Sequence, residues 1–316
     1  MPPALRALVR RESILALLVV VAFVLLAQRS DQLFTAANLL NQGRFMTEVG
    51  LVALTMTFVI VTGGIDLSVG SILGLSAILV GVLWKRAGLP LPAAMALAIA
   101  AGGVAGLVNG LVITRFGVPP LIATLATLAL YRGLAEGISE SRSVRGYPEW
   151  FYELGQGEVW GVPTQVWVLL AATFVAAVVL ARTTFGRSAY AVGANEIAAR
   201  FSGIAVDRTK LAIYTASGLA AGLAAVIFVS RVSTTRSDMG TGLEMDAITA
   251  VVLGGTSIFG GSGTIVGTAL GLILVQALRN GLALADVKGD GTIVVIGAVL
   301  ILATLVGNLA RREGEG

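Results

Sequence analysis

Residues 61–71 read VTGGIDLSVGS and lie inside one of the most apolar parts of the chain, yet they include two adjacent glycines, an aspartate and two serines. This density of glycines and short polar side chains favours a helix break or turn between two apolar helices. We expect Gly63 and Gly64 to provide close backbone contact or a positive φ angle there. Asp66 or Ser68 is expected to cap the helix that follows.

The composition around this break is that of an integral membrane protein. Of the 316 residues, 56% are hydrophobic and only 13% are charged, and the mean hydropathy is +0.89. Successive apolar runs are long enough to cross a hydrocarbon core of roughly 30 Å as helices, whose backbone polar groups are satisfied internally. We therefore predict an all-α, polytopic membrane protein that forms a single transmembrane domain over residues 1–316, with about ten transmembrane helices.

The predicted spans follow the apolar runs, and both chain ends are placed in the cytoplasm, as segments 1–12 and 311–316. The spans are 13–27, 45–62, 68–84, 92–114, 118–135, 164–181, 210–230, 246–254, 264–285 and 292–310. The segment 246–254 is too short to cross alone, so it either spans with its flanks or is re-entrant.

Two loops are long enough to have functions of their own. The loop 132–163 is rich in glutamate and has aromatic residues near its membrane edges, so we place it in the periplasm. The loop 182–210 carries five basic residues against two acidic ones, which is typical of a cytoplasmic loop.

A second glycine-rich stretch echoes the first. Residues 252–262 read VLGGTSIFGGS and share with residues 61–71 the frame V-x-G-G-x-x-[LI]-x-x-G-S, with Gly254 and Gly255 as the paired glycines. We interpret the two stretches as an internal repeat with glycine-broken helices, which is a sequence indication of a transport pathway. The alternative is that both are tight cytoplasmic turns.

Several kinds of chemistry are disfavoured by the sequence. It has neither cysteine nor histidine, which removes the commonest metal ligands and the usual general base. It also lacks the G-x-x-x-x-G-K-[ST] phosphate-binding loop. We expect a chain that is not an enzyme and holds no cofactor or metal. The net charge of +4 is explained by basic residues that flank membrane helices, so no nucleic-acid partner is expected.

The basic loop contains the pattern of a short helix. In GANEIAARFSGI, Asn195 can cap the helix, Glu196 lies in its first turn, and Gly203 can end it in the left-handed conformation. Ile197 and Phe201 are four residues apart and share one face. Because about two turns are too short to be stable alone, we expect a groove on a partner to hold this helix. The alternative is a juxtamembrane helix that lies on lipid.

Four motifs, taken in order, resemble the permease subunits of bacterial sugar ABC importers of the ribose, xylose and galactose type. They are GGIDLSVGS (63–71), PPLIATLATLALYRG (119–133), GRSAYAVGANEIAARFSGI (186–204) and EMDAITAVVLGGTSIFGGSGTIVGT (244–268). The resemblance covers nearly the whole chain. Within that family, residues 233–255 are most similar to the rhamnose and autoinducer-2 importer permeases.

The resemblance implies a location in the bacterial inner membrane and a set of partners. Two permease subunits, identical or paralogous, form the pathway within the membrane lipid. Two ATPase subunits bind ATP and Mg and dock on the cytoplasmic loops, and a periplasmic binding protein delivers a monosaccharide or furanosyl compound. Residues 195–203, including Arg200, are then the coupling helix.

The sequence leaves the substrate and the pathway open. Asn109, Thr124 and Thr127 are candidate pathway residues, but they are equally explained as polar groups that pack helices together. The alternative function is an ion-coupled secondary transporter, which needs an ionisable group within the membrane. The candidates for that group are Glu48, Asp66 and Asp246.

Overall fold

The computed structural model describes residues 20, 33–140, 142–287, 289, 291–292 and 294–301. Both predicted cytoplasmic termini, nearly all of the predicted first span and the end of the last one lie outside these residues.

The described chain is mainly helical. Its helices are α1 (Ala36–Val61), α2 (Val69–Lys85), α3 (Leu91–Arg115), α4 (Pro120–Ser139), α5 (Glu149–Gln156), α6 (Thr164–Arg182), α7 (Thr184–Ala194), α8 (Glu196–Phe201), α9 (Val206–Val232), α10 (Leu243–Leu253) and α11 (Ile265–Leu284). Among the described residues, six helices (α1, α3, α4, α6, α9 and α11) are long and apolar enough to cross a membrane. The prediction of an all-α polytopic protein is confirmed at this level.

Several helices begin earlier in the structure than the apolar pattern predicted, among them α1, α9 and α10, the last at Leu243 rather than residue 246. α1 starts at Ala36 rather than residue 45, because Thr35 accepts a hydrogen bond from the Asn38 amide (3.3 Å) and opens the helix within polar sequence. α9 starts at Val206 rather than residue 210. The first turns of these helices contain polar side chains, which an apolar pattern does not register as helix.

The connections at one end of the helices contain four short strands. β1 (Val144–Arg145) pairs antiparallel with β4 (Thr234–Thr235), and β2 (Glu158–Val159) pairs antiparallel with β3 (Val162–Pro163). We call residues 140–163 and 233–242 the sheet end of the molecule. The predicted loop 132–163 is therefore shorter than expected, since α4 continues to Ser139 and α5 lies within the remainder.

The opposite end brings together the two glycine-rich stretches and the basic loop. The Gly261 amide donates to the Val61 carbonyl (2.9 Å), and the Tyr190 hydroxyl donates to the Gly263 carbonyl (2.6 Å). We call residues 62–68, 183–205 and 254–264 the glycine-rich end.

The short predicted span 246–254 corresponds to α10 (Leu243–Leu253). Its 11 residues rise roughly 16 Å, about half of a hydrocarbon core. α10 follows directly on the sheet end, and the loop after it lies at the glycine-rich end, where Gly261 bonds to Val61. This short helix therefore links the two ends of the molecule.

Small residues let the central helices approach closely. A Cβ atom at Gly218 of α9 would overlap the Gly102 carbonyl of α3, and one at Gly106 would overlap the Tyr214 carbonyl. Packing through small residues is typical of membrane helices, where lipid supplies no hydrophobic force between them. These two close contacts hold α9 against α3, next to the first glycine-rich stretch.

Candidate functional site

The first glycine-rich stretch forms the loop 62–68, and its two glycines have different tasks. Gly63 has φ +78°, in the left-handed region that favours glycine. Gly64 has no positive φ, but a Cβ atom there would overlap the buried hydroxyl of Tyr214 on α9. Both expected uses of glycine, positive φ and close contact, therefore occur within this one pair.

Asp66 is fully buried and joins this loop to α9. Its Oδ1 accepts from the Ser68 amide (3.0 Å) and the Ser68 hydroxyl (2.6 Å), and its Oδ2 accepts from the Ser217 hydroxyl (3.0 Å). Ser68 occupies the N-cap position of α2 but its side chain caps no helix amide; its hydroxyl donates to Asp66 and its oxygen accepts from Asn109. Asp66 thus meets the amide at the start of α2, as expected of a local cap, and its second oxygen also ties this start to α9.

Two of the three predicted pathway residues meet this loop from neighbouring helices. Asn109 on α3 donates to the Ser68 hydroxyl (2.7 Å), and Thr124 on α4 donates to the Ile65 carbonyl (3.0 Å). Thr127 donates instead to carbonyls of its own helix. All three predicted residues are buried, so these contacts favour the packing interpretation, and a pathway role stays a prediction.

The second glycine-rich stretch also divides its glycines between the same two tasks. A Cβ atom at Gly254 would overlap the Gly267 carbonyl of α11, whereas Gly255 has φ +93°. The loop then turns back towards the first stretch, where the Gly261 amide donates to the Val61 carbonyl. The two stretches are thus in direct contact.

The C-terminal end of α7 packs against both glycine-rich stretches where they meet. A Cβ atom at Gly193 would overlap the Val61 carbonyl and approach the Gly261 amide at 2.5 Å, so it would meet both stretches at once. Sequence analysis missed this residue. The signal was present in VGANE, where a glycine comes two residues before the helix cap Asn195.

The short helix predicted within residues 195–203 is present as α8. The Asn195 carboxamide oxygen accepts from the Ala198 amide (2.9 Å), and Gly203 has φ +82° just beyond the helix. Ile197 and Phe201 are 70% and 90% exposed. α8 therefore presents an apolar face that no described residue covers.

Charged side chains fix the base of α8. Lys210 bonds to Glu196 (2.5 Å), and Arg200 bonds to Asp207 (2.7 Å) as well as to Glu196 (3.3 Å). Burial alone raises the pKa of the Glu196 carboxyl, but hydrogen bonds and positive charge from Lys210 and Arg200 outweigh it and hold that pKa below its usual value. The hydrogen bond from Arg200 likewise lowers the pKa of Asp207. Both acids therefore stay ionised near neutral pH.

The three carboxylates considered for ion coupling all have partners. Arg231 donates to Glu48 (2.7 Å), with its guanidinium close to the rings of Phe45 and Phe228, and Arg279 forms an ion pair with Asp246. Asp66 accepts from hydroxyls and an amide, as described above. Among the described residues no group of three or more His, Cys, Asp or Glu side chains is arranged to hold a metal ion.

This arrangement defines a class of protein. Helices long and apolar enough to cross a membrane, two glycine-rich stretches in contact near one end, and an exposed short helix beside them are features of a membrane permease.

Comparison with known proteins identifies the family. Residues 38–304 match the model of the permease component of branched-chain amino acid transport systems, and the chain belongs to this family. The chain is 40% identical over 310 residues to the ribose import permease protein of Escherichia coli K12, covering 95% of this chain and 94% of that protein.

Two further relatives have similar coverage. The chain is 42% identical over 271 residues to the ribose import permease protein of Bacillus subtilis, covering 85% and 84% of the two chains. It is 36% identical over 300 residues to the autoinducer 2 import system permease protein of Photorhabdus luminescens, covering 93% and 90%. No solved structure matches the chain.

These relatives confirm the resemblance to bacterial sugar-importer permeases. Together with the six apolar helices, they make the chain a multi-pass permease of the inner membrane. The alternative of an ion-coupled secondary transporter receives no support from them.

Proposed function

We propose that this chain is the membrane subunit of an ATP-binding cassette importer that moves a monosaccharide, or a similar furanosyl compound, into the cell. The relatives support this substrate class, because they are named for the import of ribose and of autoinducer 2. ATP and Mg bind to partner ATPase subunits, which supply the energy.

The observation that carries the proposal is the apolar face of α8. Ile197 and Phe201 are exposed, while α8 itself is held in place by a capping residue at its start and by ion pairs along its base. A helix of six residues is too short to persist without such support. Its fixed position with an uncovered aromatic side chain fits insertion into a groove on a partner.

The contacts behind α8 supply a route for force to reach the membrane segments. α8 follows directly on Asn195, and the residue two before it, Gly193, lies against both glycine-rich stretches. A displacement of α8 by an ATPase would therefore act on the backbone at Val61 and Gly261. Backbone segments packed this closely move together, because no free space between them can take up a displacement.

Other partners follow from the family and from the two ends of the molecule. A periplasmic binding protein docks at the sheet end, on residues 140–163 and 233–242. A second permease subunit, identical or paralogous, completes the pathway within the membrane lipid. Nucleic acid has no part in this assembly.

We also propose about ten membrane segments, with both termini in the cytoplasm and an internal repeat that relates the two glycine-rich stretches. The six long helices, α2 and the short helix α10 account for eight of them. The segments near 13–27 and 292–310 would add the remaining two. The five basic residues of the loop 182–210, against two acidic ones, support a cytoplasmic location for the glycine-rich end of the molecule.

The test is co-purification of the ATPase with the wild-type permease and with Phe201→Ala. Truncating a buried aromatic anchor costs on the order of 2 kcal/mol, so the variant should insert normally yet retain little ATPase and lose sugar-stimulated hydrolysis. Phe174→Ala on α6 is the matched control, since Phe174 is also exposed (70%) but lies within a membrane helix.

Two results would contradict this assignment. Either no ATPase co-purifies with the wild type, or Phe201→Ala retains the ATPase and its stimulation as fully as Phe174→Ala does.

A further inference from the structure

A cavity of about 400 Å³ opens at the sheet end between α1, α9 and α10. Its polar and aromatic lining consists of Phe228, Thr234, Arg236, Asp238, Thr241 and Asp246, and the rest of the wall is apolar or backbone. Small-molecule sites typically measure about 300–1,000 Å³ and combine apolar walls with a few polar groups. The cavity has the size and lining of a site for one small polar solute.

The charges in the cavity wall are balanced. Arg236 donates to Asp238 (2.9 Å), and Asp246 is paired with Arg279 behind it. A charged solute would find no unpaired partner there and would lose its hydration, which is unfavourable. The paired groups nevertheless retain spare donor and acceptor capacity, which suits the hydroxyl groups of a neutral solute.

One polar atom of the wall lacks a partner. The Thr234 hydroxyl oxygen is buried and has no hydrogen-bond partner in the described part of the chain. Buried hydroxyls are normally bonded, so an unbonded one on a residue that lines a cavity can bond a solute or water once its side chain rotates towards the cavity.

The wall is also held rigidly. Arg132 on α4 donates to the Met239 carbonyl (3.0 Å) and to the Ser237 carbonyl, which fixes the loop between β4 and α10. Phe228 is fixed by the Arg231 guanidinium, 4.9 Å from its ring centroid, and Arg231 is itself paired with Glu48. Fixed side chains of this kind lose little freedom when a ligand binds.

We propose that this cavity is a binding site for a neutral monosaccharide that enters from the sheet end. The C–H face of the sugar packs against Phe228, while its hydroxyl groups bond to Thr234 and to the Arg236–Asp238 pair. This inference rests on the proposed import function, since it supplies the point at which the released sugar first contacts the permease.

The test measures ribose binding to the purified full-length permease in nanodiscs, by saturation-transfer NMR titration. Ribose 5-phosphate is the charged comparison, and Phe174→Leu is the control variant on an exposed membrane helix. Thr234→Val keeps the side-chain shape and removes the hydroxyl, so it should weaken ribose binding about fivefold, the usual value of one hydrogen bond. Phe228→Leu keeps an apolar side chain and should weaken binding at least as much.

The expected result is saturable ribose binding by the wild type and Phe174→Leu, weaker binding by both cavity variants, and no saturable binding of ribose 5-phosphate. The inference is overturned if no saturable ribose binding occurs, if ribose 5-phosphate binds as well as ribose, or if neither cavity variant differs from the wild type. Co-purification of the ATPase is measured on the same preparation. If the ATPase is retained but ribose is not bound, the cavity assignment fails and the import function stands.

Discussion

The two glycine-rich stretches share one sequence frame but have different surroundings. In the first, the frame places Asp66 and Ser68 in a buried network that reaches Ser217. In the second, the same positions hold Ser257, which is partly exposed, and Phe259, which is 84% exposed. The glycines common to both stretches therefore determine the backbone conformation and the close contacts of the break. The polar residues differ because only the first stretch is enclosed by helices, where buried polar groups need partners.

The paired glycines exchange tasks between the two stretches. The first glycine of the pair has the positive φ in one stretch (Gly63), whereas the second has it in the other (Gly255). The remaining glycine of each pair, Gly64 or Gly254, lies against a neighbouring helix. A shared motif thus predicts that a break needs two glycines, but it does not specify which one turns the chain.

The largest effect is expected from filling the close contact in either stretch. Gly64→Leu and Gly254→Leu each place a side chain where even a Cβ atom overlaps a neighbour, so both should abolish uptake. Gly133→Leu on α4 is the matched control, because nothing lies within 4 Å of a Cβ atom there. Uptake of labelled sugar is measured at equal membrane abundance, and normal uptake by either break variant would refute the need for close contact.

A smaller effect is expected from changing the buried acid that distinguishes the stretches. Asp66→Leu leaves the Ser217 hydroxyl and the Ser68 amide without their acceptor, and each buried unsatisfied group costs about 1–3 kcal/mol. Asp66→Asn keeps an acceptor oxygen, and its amide can donate to Ser217. In thermal unfolding of the purified permease, the Leu variant should melt well below the Asn variant.

The control for this comparison lies at the matching position of the second stretch. Ser257→Ala should leave the melting temperature nearly unchanged, since Ser257 is partly exposed. Equal destabilisation by Asp66→Asn and Asp66→Leu would show that the charge, rather than the acceptor, is what the fold needs.

The smallest effect separates the two glycines of one pair. Gly64→Ala should be destabilising because of overlap with the Tyr214 hydroxyl, which has no hydrogen-bond partner in the described chain. Adding Tyr214→Phe removes that oxygen and should restore much of the lost stability. Gly63→Ala has room, since the nearest atom is 3.8 Å away, and should cost only the roughly 1–2 kcal/mol of a left-handed residue.

Combining Tyr214→Phe with Gly63→Ala is the control for this rescue. It should not rescue Gly63→Ala, because the cost there is backbone strain rather than overlap. The unfolding free energies of the three single and two double variants are compared in two double-mutant cycles, one for each glycine. Equal rescue of both glycine variants would mean that Tyr214→Phe stabilises the protein generally and that the overlap argument is incorrect.

Local patterns in the sequence predicted local structure well. Apolar runs located the long helices, and Asn195 and Gly203 marked the ends of α8, because caps depend on residues within one turn. The partners of Asp66 were not predictable in this way. Ser217 lies 151 residues away along the chain, and no periodicity indicates which helix will pack against a break.

The cavity and the position of Gly193 were missed for the same reason. Both depend on segments that are distant in sequence, such as Val61 and Gly261 around Gly193. The early start of α1 was missed because polar residues precede its apolar run, and hydropathy alone does not register a helix that extends beyond the membrane.

We propose that ATP hydrolysis by a partner drives uptake and that the buried Asp66 carries no protons. The most direct measurement is sugar uptake into proteoliposomes that contain the permease, its ATPase and the binding protein, with ATP supplied to the ATPase side. We expect uptake that requires ATP, continues when a protonophore collapses the proton gradient, and is largely retained by Asp66→Asn. Uptake that proceeds without ATP and stops when the proton gradient is dissipated would contradict the account.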